Sequence, residues 1–323
     1  MKAAVVAEFG QTPRYTDRAE PRAHDNMVVA RVAAASIKNL DRGLVAGTHY
    51  GSRALHPPFT PGVDGIVYLD DGRLAYSSAR VPYGMMAERT IVDPNQAVLL
   101  PDGIDATFAA AIPNPGLSAW FSLEYAAGIT AGQSILILGA TGVTGSVATQ
   151  LAKKKFGARR VVVAGRNAER LQNLRDLGAD EVVQIDDDLP ERISSLHDAA
   201  PFDAVLDYLW GVPAEQTLAA LGNTGMSAGF HRTRYVQIGS MARATITLPS
   251  EILRSAGVEI VGVGLGSVPA EAHARANSEI LPTLFAMGAD GTLTIDVTAR
   301  PLAEVETAWD DPEPAGTRVV LVP

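Results

Sequence analysis

A chain of 323 residues with 47% hydrophobic and 20% charged side chains is long enough to bury two cores of ordinary domain size. Its 27 basic and 36 acidic residues leave a net charge of −9, which argues against a nucleic-acid partner or an anionic membrane surface. The absence of cysteine excludes disulfides, cysteine-ligated zinc and thiolate catalysis. No apolar run approaches the roughly 20 residues of a membrane-spanning helix. The opening stretch MKAAVVAEFGQTPRY lacks the long apolar core of a secretory signal, so a cytoplasmic protein without a membrane partner is expected.

In chain order, MKAAVVAEF and NMVVARVAAAS read as strands. GIVYLDDGRLAYS sets Asp70, Asp71 and Gly72 between two more, a hairpin signal, and Arg89–Val92 is a further candidate. Residues 1–115 therefore predict a small, mainly antiparallel β-rich domain with few helices. From Gly116 the texture alternates. Strands are expected over 134–139, 160–165, 181–185, 203–208, 234–239 and 259–264, with helices over 147–156, 168–177 and 214–221. Repeated strand–helix–strand units predict an α/β fold with a doubly wound parallel sheet over residues 116–265. Beyond it we expect a helix over about 270–287, a strand near 293–297, a short helix near 302–309 and a terminal strand RVVLVP. That tail has no parallel partner left, so residues 266–323 are assigned back to the first domain.

The run SILILGATGVTG, residues 134–145, carries the chemistry. Gly139, Gly142 and Gly145 follow an apolar strand and open a helix, the context a dinucleotide fingerprint requires. Glycines let the backbone approach a pyrophosphate, which then rests on the N–H groups and positive end of the helix. Gly139, Thr141, Gly142, Val143 and Thr144 are thus predicted cofactor residues; a turn that serves only helix–sheet packing is the plainer alternative. The second strand ends in VVVAGRNAER, with Arg166 at its tip, Asn167 placed to cap the next helix, Arg170 one turn on, and no acidic residue in the turn. Arginine's fork suits a ribose 2′-phosphate, so the cofactor is predicted to be NADPH rather than NADH. A solvated arginine at a helix start is the alternative there. Strand and helix ends on the ligand side add Asn114, Ser118, Leu209, Trp210, Gly239, Ser240, Val263 and Gly264. Residues 225–229 fit a Gly-x-Ser-x-Gly nucleophile pattern, but they follow a helix and precede a strand, the reverse of what that motif needs, and read as a loop.

The segments SIKNLDRGLVAGTHY, PFTPGVDGIV, VPYGMMAERTIV, AAIPNPGLSAWFSL, ILGATGVTGSVATQLAK, GRNAERL, VLDYLWG, RYVQIGS, VGVGLGS and PLAEVETAW occur in an order and spacing that resembles the medium-chain dehydrogenase/reductase superfamily. The likeness is to its zinc-free quinone-oxidoreductase branch. It implies a Rossmann domain and a discontinuous β-rich, GroES-like substrate domain. It also implies hydride transfer from NADPH to a quinone or an α,β-unsaturated carbonyl, and a homodimer that extends the sheet through the strand near 259–264. By the same likeness, backbone groups at Val263 and Gly264 would hold the carboxamide, and Arg318 is the family's terminal basic residue near the cofactor.

Departures from the family pattern bear on the chemistry. Ser36 stands near the first zinc-ligand position and PGVDG replaces the second ligand motif, while His49 and His56 alone cannot make a four-ligand site, so no metal is expected. Lys38 stands where relatives have asparagine. Its ammonium is a candidate for stabilising an anionic product, with an ion pair to Asp41 as the alternative. Tyr50 is the candidate proton donor, and His49, Tyr83 and Trp210 are candidate pocket residues, each of which could equally be an ordinary core or surface side chain. A short-chain-type reductase is disfavoured, because no tyrosine here has lysine four residues later. A non-catalytic NADPH-binding sensor or structural protein remains the alternative from a different class.

Overall fold

The structure, a computed structural model, describes residues 1–222, 230–264, 266–311, 314 and 316–323. The Gly-x-Ser-x-Gly segment at 225–229 lies outside the described residues. The chain divides into two compact units: Met1–Asn114 with Ala274–Pro323, and Pro115–His273.

In the first unit, β1 (Lys2–Val5) and β2 (Arg14–Asp17) form an antiparallel ribbon. There follow β3 (Val28–Ser36), α1 (Asn39–Val45), β4 (Asp64–Tyr68), β5 (Leu74–Ser78), β6 (Arg89–Val92), β7 (Val98–Leu99) and α2 (Ala106–Ala111). The long apolar β3 pairs antiparallel with both β4 and β6. Asp70 to Gly72 close the β4–β5 hairpin: Gly72 donates to the Leu69 carbonyl at 2.9 Å and adopts φ +83°, a conformation glycine takes without strain.

α3 (Pro113–Phe121) carries the chain into the second unit. Its sheet holds β8 (Ser134–Leu138), β9 (Arg160–Gly165), β10 (Glu181–Gln184), β11 (Ala204–Asp207), β12 (Arg232–Gln237) and β13 (Gly257–Gly262). They lie in the order β10-β9-β8-β11-β12-β13 and every pairing is parallel. The helices are α4 (Val143–Lys154), α5 (Ala168–Asp176), α6 (Leu189–Ala199), α7 (Gly211–Gly222), α8 (Ser250–Ser255) and α9 (Ala270–Arg275). β8 is buried along its whole length, as a central strand covered on both faces should be. The first helix of the series begins at Val143 instead of 147, because the glycine turn itself supplies the N-cap at Gly142.

The single helix expected over 270–287 is interrupted. A wide π turn occupies Ala276–Ile280 before α10 (Leu281–Ala289), and Pro282, which has no N–H to give, stands at the start of that next helix. The following strand, β14 (Asp296–Pro301), starts later than 293. Leu293 is instead fully buried, and its N–H closes on the Met287 carbonyl after the left-handed Gly291, so it ends the helix rather than opening the strand. After α11 (Val305–Asp310), the last strand β15 (Thr317–Val322) lies between β14 and β3. It is antiparallel to β3 but parallel to β14, an exception to the mainly antiparallel character expected of this unit.

Candidate functional site

The glycine turn of the second unit is built by close backbone contacts. Gly139 and Ala140 both donate to the Ala164 carbonyl, at 2.9 and 3.0 Å, which pins the turn to β9. Gly139 adopts φ +81°. A Cβ at Gly145 would stand 2.5 Å from the Gly139 carbonyl oxygen and 2.6 Å from Ala140 Cα, so only glycine lets α4 approach β8 this closely. The N-cap of α4 is Gly142, extended and without a side chain to satisfy the first N–H groups. Thr141, Gly142, Val143 and Thr144 remain partly exposed around them. A helix start left open in this way, with its dipole unopposed, fits a pyrophosphate.

At the end of β9, Arg166 is exposed. Asn167 spends its side-chain oxygen on capping α5, accepting from Arg170 N at 3.0 Å. The acidic run that follows β10 is partly engaged by Arg192, which pairs with Asp186 and lies 3.9 Å from Asp188. Leu209 and Trp210 follow β11; Gly239 and the exposed Ser240 follow β12. Gly239 sits so tightly against β11 that a Cβ there would be 2.6 Å from the Tyr208 carbonyl. Beyond β13 the N–H groups of Val263 and Gly264 are already satisfied by the Gln237 carbonyl at 3.0 Å and Ser267 Oγ at 2.8 Å. Neither N–H is free to donate to a carboxamide in this arrangement. Asn114 and Ser118 lie on α3 and are half-buried.

In the first unit Lys38 follows β3 and is 0% exposed. Its ammonium donates to Asp64 Oδ1 at 2.7 Å and to the Ser36 carbonyl at 3.0 Å, and lies 3.2 Å from Asp41 Oδ2. Asp41 in turn accepts from the backbone N–H of Lys38 and of Val63, each at 3.1 Å, and Tyr76 donates to Asp64 at 3.3 Å. Burial alone would lower the lysine's pKa, but Asp41 and Asp64 outweigh it and hold the pKa above the ordinary value. Burial likewise pushes the Asp41 carboxyl upward, against the pull of Lys38. Of the two readings weighed for Lys38, anion stabilisation and an ion pair with Asp41, the ion pair is the one present here, with the ammonium's hydrogens directed at Asp64, the Ser36 carbonyl and Asp41 inside the protein. Arg318, on β15, donates to the Ile37 carbonyl at 2.9 Å and is also buried.

Tyr50 is by contrast 60% exposed. It opens a short 3₁₀ turn capped by His49, whose Nδ1 accepts from Gly51 N at 3.0 Å, and the two rings lie 4.0 Å apart. Tyr83 is half-buried with the Arg18 guanidinium over its ring at 5.6 Å. Two residues that sequence reasoning missed stand out: Asp64, the partner of Lys38, and Asp207 at the end of β11, which is wholly buried among hydrogen-bond donors. Both sit at the end or start of a strand within an apolar stretch, and a charged residue in that position was the available signal. Among the described residues no group of three or more His, Asp or Glu is placed to hold a metal ion.

Residues 143–279 match the family model of the zinc-binding dehydrogenases. The chain is 26% identical to a probable NADPH-dependent quinone reductase of Emericella nidulans, over 100% of both chains. It is 36% identical to a 2-methylene-furan-3-one reductase of Solanum lycopersicum, over 36% of this chain and 31% of that one. Among solved structures, the quinone oxidoreductase of Thermus thermophilus, determined alone and with NADPH, is 30% identical, covers 100% of both chains and superposes with a TM-score of 0.81. With that likeness end to end, and the glycine turn, sheet order and returning tail described above, the chain belongs to the medium-chain dehydrogenase/reductase superfamily, among its quinone-oxidoreductase-like members.

Proposed function

We propose that this chain is an NADPH-dependent oxidoreductase that delivers hydride to a quinone or an α,β-unsaturated carbonyl without zinc. The observation that carries the reading is the uncapped start of α4 at Gly142, with Gly145 pressed against Gly139 and Arg166 at the neighbouring strand end. The relatives named for quinone and enone reduction, and the NADPH complex of the Thermus enzyme, support it. When bound, NADPH would supply the hydride. Gly139, Thr141, Gly142, Val143 and Thr144 would hold its pyrophosphate, and Arg166 with Arg170 its 2′-phosphate. Residues Pro115–His273 would be the cofactor domain, and the β-rich unit the substrate domain. In that unit Tyr50, with an exposed phenol beside His49, is the side chain we assign to proton supply, with Tyr83 as a pocket residue.

The β13 edge supports a homodimer: it pairs with β12 and offers its other backbone edge to a second copy. We place the protein in the cytoplasm.

A second reading, an NADPH-binding protein without turnover, is favoured by the burial of Lys38, which removes one side chain expected to act on substrate. NADPH oxidation in the presence of a panel of quinones and enones separates the two. We expect acceptor-dependent oxidation; NADPH that binds but is not consumed with any acceptor would leave the second reading.

A further inference from the structure

β8 and β11 are neighbours at the point where the strand order reverses, and open α/β sheets take their ligands in the crevice beyond such a point. The glycine turn forms one wall of it. The opposite wall, Leu209 and Trp210, is held by one side chain. Asp207, 0% exposed, accepts with Oδ1 from the N–H groups of Leu209 at 2.8 Å and Trp210 at 3.0 Å. Its Oδ2 accepts from Tyr235 Oη on β12 at 2.8 Å, and its carbonyl accepts from Ile238 and Gly239 at 2.8 and 3.1 Å. Burial raises the carboxyl's pKa, against the pull of the Trp210 and Leu209 N–H groups and of Tyr235.

Two further observations show what this hub controls. Trp210 adopts φ +57°, a left-handed conformation that is strained for a bulky side chain and persists only when its surroundings enforce it. Leu209 is packed onto the glycine turn: a Cβ at Gly139 would lie 3.0 Å from Leu209 Cδ2 and 3.1 Å from its Cγ. The carboxylate that fixes the Leu209–Trp210 backbone therefore also fixes what stands over the first glycine of the cradle.

We propose that Asp207 is a positioning residue for the dinucleotide, setting the crevice wall opposite the glycine turn through Leu209 and Trp210. This rests on the NADPH reading above. The adenosine end would lie beside Arg166 at the tip of β9, on the far side of β8 from β11, so Asp207 should matter to the whole dinucleotide and not to its adenosine fragment.

The test is calorimetric titration of NADPH and of 2′,5′-ADP into the wild type and four variants. D207A and D207E, which remove or displace the acceptor, should weaken NADPH about tenfold or more while 2′,5′-ADP stays within about twofold. D207N retains an oxygen for both N–H groups, and Y235F leaves that oxygen untouched, so each should stay within about threefold for both ligands. D207E keeps the test open if D207A does not fold. Unchanged NADPH affinity in D207A or D207E overturns the proposal, and so does an equal loss for both ligands, which would mark a purely structural role. A wild type that binds neither ligand overturns the cofactor reading itself.

Discussion

Lys38 Nζ lies 2.7 Å from Asp64 Oδ1 with the lysine side chain entirely shut off from solvent. Together with Asp41 this makes a buried ionic cluster where the end of β3, the start of α1 and the start of β4 meet. The ion-pair role weighed for Lys38 is the one seen here: its ammonium meets the Ser36 carbonyl, Asp41 and Asp64 and so ties β3, α1 and β4 together.

Removing the cation should leave two buried carboxylates facing each other, a strongly destabilising arrangement. We expect K38M to lower the stability to urea at pH 7 by about 3–5 kcal/mol. Adding D64N to K38M should restore part of it. Specific activity per folded molecule should change little at a temperature where K38M is native; a loss of kcat by orders of magnitude with stability intact would return Lys38 to the reacting centre.

In the function proposed above, Arg166 is the residue that sets the choice of cofactor. Losing one charge-assisted contact to a phosphate costs about 1.5–3 kcal/mol, so R166A should lower the NADPH-over-NADH ratio of kcat/KM by roughly tenfold to a hundredfold. Activity with NADH should be nearly unchanged, because NADH carries no 2′-phosphate. Equal loss with both cofactors would point to the turn, not the phosphate.

His197 predicts part of the acid sensitivity. It is 7% exposed and its Nδ1 accepts from Phe202 N at 3.1 Å, a bond that needs an unprotonated nitrogen. Burial, aided by neighbouring His231, lowers its pKa below 6.5. Below pH 6.5 the unfolded chain thus takes up this proton before the folded one, so stability is level above about pH 6.5 and falls as pH drops from there through the lower folded-state pKa. H197N, whose side-chain oxygen can replace Nδ1 as acceptor, should flatten the slope of Tm between about pH 6.5 and 5 relative to the wild type.

The legible parts of the molecule were those where local geometry allows few residue types. GATGVTG announces itself because a left-handed turn and a 2.5 Å approach at Gly145 tolerate no Cβ. The position of Arg166 directly after β9 was legible because the strand end in a βαβ unit can be counted from that turn. Asp64 and Asp207 were missed for the opposite reason. Asp64 is engaged by Lys38, 26 residues away, and Asp207 by Tyr235, 28 residues away, as well as by its neighbours' N–H groups. Nothing in PGVDG or VLDYLWG announces that a carboxylate there is buried and fully engaged. The same holds for Leu293, an apolar residue that a strand or a helix end can use equally, and for the π turn before Pro282.

The position of β15 has a consequence for biosynthesis. β15 is not an edge: it separates β14 from β3 and carries Arg318 to the Ile37 carbonyl, next to Lys38. On a ribosome, everything needed for the parallel sheet has been made by Gly262, whereas the β-rich sheet still lacks an interior strand that ends only at Val322. The first half of that sheet must therefore wait through the synthesis of the whole inserted unit, with the Ala35–Ser36 end of β3 still lacking the strand that will pair with it.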